Sequence, residues 1–139
     1  AFTKRKLAEV LLVLFMVFSV NCFKLYSGVE GYVNFINGYG FNSIHIITEK
    51  NRNILIDCTA NINDYVVKNG VDEVYMVVAT KNMRGNYAHI EELVKNHTVH
   101  NILLPQSAMD KKLKLEKSKV LYYNQLRQDF SVDNISFKL

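Results

Sequence analysis

The stretch Val71-Asp72-Glu73-Val74-Tyr75-Met76-Val77-Val78-Ala79-Thr80 decides how the rest of the chain is read. Residues 74–79 are apolar without interruption. A run apolar on both faces and too short for a helix of its own reads as a strand inside a sheet. After it, Tyr87-Ala88-His89-Ile90-Glu91-Glu92-Leu93-Val94-Lys95-Asn96 has helical spacing, with Ile90, Leu93 and Val94 on one face. Asn101-Ile102-Leu103-Leu104-Pro105 is then a further strand that stops at the proline.

Working upstream, Ile54-Leu55-Ile56-Asp57-Cys58 is a strand, followed by a short helix on Ile62, Tyr65 and Val66 that closes at Asn69-Gly70. Before it, Ser43-Ile44-His45-Ile46-Ile47-Thr48 is a strand joined to the next by the polar turn Glu49-Lys50-Asn51-Arg52-Asn53. Tyr32-Val33-Asn34-Phe35-Ile36-Asn37 opens the series and ends at Gly38-Tyr39-Gly40. Downstream, residues 111–119 form a charge-rich helix or loop, and 120–123 and 135–139 are strands. Hairpin strands followed by strand–helix–strand–helix–strand predict an α/β domain over residues 30–139, a mixed sheet with flanking helices.

Residues 7–23, Leu-Ala-Glu-Val-Leu-Leu-Val-Leu-Phe-Met-Val-Phe-Ser-Val-Asn-Cys-Phe, carry one charge, Glu9, and follow Lys4-Arg5-Lys6. Seventeen helical residues rise roughly 25 Å, against ~30 Å of hydrocarbon, and Lys24 can snorkel. Residues 1–25 are therefore expected to be a basic flank with a transmembrane or signal helix. The cell membrane is then a partner, and the domain after it is extracytoplasmic. The initial Ala and the terminal strand at Leu139 suggest a truncated chain.

The 139 residues are 49% hydrophobic and 22% charged, with one proline and six glycines, which excludes disordered and collagen-like classes. Cys22 and Cys58 are the two cysteines, so neither a disulfide framework nor a cysteine zinc cluster is available. Of the net +4, residues 1–23 hold three bases and one acid, leaving +2 for the other 116 residues. That balance alone does not argue for nucleic acid.

Three pieces in order resemble the extracellular, metallo-β-lactamase-like domain of ComEC-type DNA-internalisation competence proteins. Residues 35–46, Phe-Ile-Asn-Gly-Tyr-Gly-Phe-Asn-Ser-Ile-His-Ile, look like that family's opening strand–turn–strand. Residues 53–58, Asn-Ile-Leu-Ile-Asp-Cys, are similar to its "L-I-D-x-G" strand, and residues 71–80 with 90–94 to the strand and helix bracketing its metal motif. The apolar helix before the domain matches the family's order, and the resemblance covers about residues 4–105. It implies a metallo-β-lactamase-like fold in partial form and a place in DNA uptake, with DNA and other competence or envelope proteins as partners.

The metal motif departs from the family. Where the family carries Thr-His-x-His/Asp-x-Asp-His, this chain has Thr80-Lys81-Asn82-Met83-Arg84-Gly85-Asn86. Lys81, Met83, Gly85 and Asn86 stand at the ligand positions. A cation, a soft thioether and a missing side chain do not hold zinc or manganese. No cofactor and no catalytic residue are therefore expected. The leading reading is a non-catalytic domain, structural or DNA-guiding. Its alternative is a metal-dependent phosphodiesterase or hydrolase whose ligands lie outside the motif, and a third is an envelope interaction module without DNA.

The remaining candidates have plainer readings. His45 lies among isoleucines, and neither it nor His89, His97 or His100 forms a His-x-x-x-His pair with a carboxylate. Ser43 and Ser107 lack a nucleophile elbow, Gly38-Tyr39-Gly40 reads as a turn, and Cys58 as a small core residue. Asp57 ends a strand and, by the resemblance, shapes the neighbouring loop. Lys81, Arg84, Lys111, Lys112, Lys114, Lys117 and Lys119 are the phosphate-contact candidates, with Tyr122 and Tyr123 close behind the lysine run. The run itself holds no aromatic residue for base stacking.

Overall fold

The computed structural model describes residues 4–26, 31–123 and 129–138, and in the first helix the side chains up to residue 17. The chain divides into two units, residues 1–30 and 31–139. The first holds one helix, α1 (Lys4–Tyr26). Its side chains are exposed all round, from Val10 at 45% to Phe15 at 71%. The helix forms where the apolar run predicts it. Among the described residues no helix is long and apolar enough to cross a membrane.

The second unit is built on a six-stranded sheet in the order β1 (Tyr32–Ile36), β2 (Ser43–Ile47), β3 (Asn53–Ile56), β4 (Glu73–Val78), β5 (Thr98–Pro105) and β6 (Lys119–Tyr123). The first three strands pair antiparallel and the last four parallel. Parallel neighbours require crossovers, supplied by α2 (Ile62–Lys68) and α3 (Arg84–Asn96). The turn between β2 and β3 closes through Thr48 N to Arg52 O at 3.0 Å and Asn51 N to Thr48 O at 2.9 Å. Asn51 takes the left-handed φ of 60° that this turn requires.

Strand alternation sorts the apolar residues onto two faces. Leu55, Val77, Ile102 and Leu104 meet Ile62 and Val66 of α2 and Ile90 and Leu93 of α3. Ile46, Ile54, Met76, Val78 and Leu103 face the other way, onto a hairpin of β7 (Phe130–Val132) and β8 (Ile135–Phe137) through Val132. A residue such as Ile102 or Leu93, fully buried, contributes about 1.5–3 kcal/mol. Because β3 and β4 are covered on both faces, they read as unbroken apolar runs.

Some elements differ from expectation in extent or presence. Strand β7 lies beside β8, where no strand was expected. Helix α3 starts at Arg84, three residues earlier than its apolar spacing suggests. Of the helix or loop expected over residues 111–118 the loop forms, with turns from Lys111 N to Ala108 O and from Ser118 N to Leu115 O. Only Leu115 of that segment is buried, so nothing repeats at helical spacing to hold a helix against the core.

Candidate functional site

The carboxyl ends of β3 and β4 lie side by side in parallel, and the residues just beyond them converge on Asp57. Asp57 has a left-handed φ of 57°, which a short polar residue tolerates, and its own N–H donates to Val78 O at 2.8 Å. Oδ1 accepts from Thr80 N at 2.7 Å, Lys81 N at 3.1 Å and Asn86 Nδ2 at 2.8 Å. Oδ2 accepts from the Thr80 hydroxyl. A carboxylate oxygen offers about two lone-pair positions, so Oδ1 is saturated by its three donors while Oδ2 accepts one.

Asn86, fully buried on α3, is the second hub. Its other amide hydrogen goes to Lys81 O at 2.9 Å, and its Oδ1 accepts from Cys58 N at 2.8 Å. Asn86 shares the inward face with Ile90 and Leu93, spaced four and seven residues on. A polar residue on that apolar stripe is the signal by which the sequence marks it; considered only as a metal-ligand position, it was missed as a hub. Thr80 and Tyr123 were missed as well. The Tyr123 hydroxyl donates to Ala79 O at 2.7 Å, and the Tyr87 hydroxyl to Asn82 Oδ1 at 2.9 Å. Burial, then Tyr123 and the Asp57 charge, push the Tyr87 hydroxyl up, and burial with Asp57 does the same to Tyr123. Both phenols stay protonated donors at neutral pH.

The turn from β1 to β2 braces the same end. Ser43 Oγ accepts from Thr59 N at 2.9 Å and lies 3.3 Å from Thr59 Oγ1, so the buried Ser43 is tied to Thr59. Gly38 packs against this pair so closely that a Cβ would sit 2.2 Å from Thr59 Cγ2.

The residues at this strand end do not fit a divalent metal. Lys81 and Gly85 are exposed, Met83 is 46% exposed, and Asn86 is turned inward to Asp57, so the four positions do not converge. Among the described residues no three His, Cys, Asp or Glu side chains gather into a ligand set. The positive end of the α3 dipole, with Arg84 in its first turn, further disfavours a cation here. The histidines serve packing or pairing. His45 is buried between Tyr65 and Asn53, His89 lies 3.7 Å from Glu92, and His100 bonds Glu73 at 3.2 Å.

The structure divides the basic candidates. Lys81 and Arg84 border the Asp57 end, and Lys111 Nζ sits 4.9 Å over the Tyr87 ring, which brings it to the same end. Lys114 and Lys117 instead line a 470 Å³ groove on the outer side of α3 with Glu91, Glu92 and Glu116, and Lys114 N bonds Glu91 Oε1 at 3.1 Å. Lys119 pairs with Asn101 at the opposite end of β6 from Tyr123. Lys112 is exposed.

No family model and no curated protein match the chain. Among solved structures it is similar to a new diphosphatase from the PhnP family, with a TM-score of 0.53 and 11% sequence identity over 69% of this chain. The match covers 42% of that structure, so this chain spans less than half the length of the protein it resembles. At that identity the likeness concerns the fold alone. The central mixed sheet with its flanking helices is the mixed α/β architecture expected from the sequence, and its fold is similar to that of the PhnP-family structure.

Proposed function

We propose that this protein is a non-catalytic, metallo-β-lactamase-like domain that guides DNA by its phosphates, as the competence resemblance suggests. The observation that carries this reading is the strand end closed around Asp57 and bordered by Lys81, Arg84 and Lys111, which presents positive charge in place of ligands. Phosphate contacts of this kind release counterions, so binding weakens steeply with salt. Fluorescence anisotropy with labelled single-stranded DNA over a NaCl series is the test. A linear fall of log K with log salt, about 0.7 for each phosphate contacted, is expected. Absence of binding at low salt overturns the reading in favour of an interaction module without DNA.

On the same reading α1 associates the protein with a membrane, since a basic cluster precedes exposed apolar side chains. Vesicle flotation with anionic and neutral lipids tests this, and protease protection in intact cells tests an extracytoplasmic site. A second reading, a metal-dependent hydrolase, is favoured by the fold likeness to a diphosphatase. Stoichiometric metal in the purified chain together with phosphodiesterase activity would establish it instead.

A further inference from the structure

We infer that a permanent hydrogen-bonded latch built on Asn86 organises this strand end where a metal-binding version of the fold would place a cation, making the domain independent of divalent metal. The inference goes beyond DNA guiding and survives its failure, because it concerns what holds the turn between β4 and α3.

The latch joins three segments. From α3, the Asn86 carboxamide reaches Asp57 Oδ1 beyond β3 at 2.8 Å, the Lys81 carbonyl beyond β4 at 2.9 Å and the Cys58 amide at 2.8 Å. Every hydrogen-bonding position of that amide nitrogen is used, and the side chain is shut off from solvent. Thr80 closes the remaining side of Asp57 with its amide and hydroxyl. A cation entering here would meet the positive ends of three N–H groups aimed at one oxygen, and would have to break those bonds before reaching it. The Asn86 side chain therefore performs the cross-linking that ligand bonds would otherwise perform, with groups that need no loading.

The full chain is melted by circular dichroism in EDTA, in Zn²⁺ and in Mn²⁺, alongside the Asn86→Asp variant. The wild type is expected to give one Tm in all three solutions. Asn86→Asp sets a second carboxylate against Asp57 in place of a donor, and its Tm is expected to be lower by about 5 °C or more. A wild-type Tm that rises with stoichiometric bound metal overturns the inference, as does a variant that melts with the wild type. If Asn86→Asp does not fold, amide exchange in the wild type decides. Slow exchange of the Cys58, Thr80 and Lys81 amides, unchanged by EDTA, upholds the latch, and fast exchange overturns it.

Discussion

Asn86 Nδ2 donates to Asp57 Oδ1 at 2.8 Å, across 29 residues of sequence, and so ties the first turn of α3 to the end of β3. Both side chains are buried, and each satisfies groups that would otherwise be stranded. An unmet buried donor costs about 1–3 kcal/mol, so this pair and its neighbours matter more to stability than exposed ion pairs such as Arg5–Glu9.

Replacing Asp57 with Ala strands the amides of Thr80 and Lys81 and one hydrogen of Asn86 together. A loss of roughly 3 kcal/mol or more in urea unfolding is expected. A loss below about 1 kcal/mol would show that water satisfies those donors instead.

Cys58 is fully buried, and burial together with the adjacent Asp57 charge raises its thiol far above the ordinary range. In a Cys22→Ser background, a thiol-disulfide reagent at pH 8 should leave the folded protein unlabelled and label it fully in urea. Rapid labelling without denaturant would contradict the burial.

His45 is held neutral by burial, which lowers its pKa below 6.5 despite the opposing bond from Asn53. The Tyr65 hydroxyl lies 2.7 Å from its Nδ1 and Asn53 Oδ1 2.9 Å from its Nε2. The unfolded chain binds this proton at higher pH than the fold does, so stability is full above about pH 6.5 and declines as the pH falls toward the folded pKa. Urea midpoints between pH 8 and 5 should follow that course, and His45→Gln should flatten it.

Asp133, at the β7–β8 turn, has a side chain only 4% exposed that receives the Thr48 hydroxyl at 2.5 Å, with Arg52 at 3.3 Å and Lys50 at 3.9 Å. Its left-handed φ of 53° suits Asp and Asn but strains Ala. Asp133→Ala is therefore expected to destabilise by about 1–3 kcal/mol and to quicken amide exchange in β7 and β8, with Asp133→Asn the milder change. Equal effects of the two would deny the backbone contribution.

If Lys81, Arg84 and Lys111 contact phosphates, removing all three should lower DNA affinity and reduce the salt slope, by about 0.7 per lost contact. Lys119→Ala is the control, because that residue lies at the far end of β6. Equal losses from both variants would point to diffuse charge.

The strands of the central sheet were legible because each carries a local signature. Val74 to Ala79 is apolar on both faces as a covered parallel strand must be, and the polar turn at Glu49 to Asn53 marks the hairpin. Strand β7 was not legible, since its place is set by pairing with β8 rather than by a pattern of its own.

What the local pattern could not show is which distant groups meet. Asn86 carries no mark at its own position beyond lying on an apolar stripe, and Thr80 and Tyr123 carry none. The lysine run looked like one patch, yet the loop sends Lys111 to Tyr87 and Lys119 to the other end of β6. Sequence alone thus determined the alternation of elements, a property of side-chain type and short-range period. Only the tertiary structure decided the Asp57–Asn86 pairing and the division of the charges, because parallel strands set residues 57, 80 and 86 together by closing loops whose ends carry no local code.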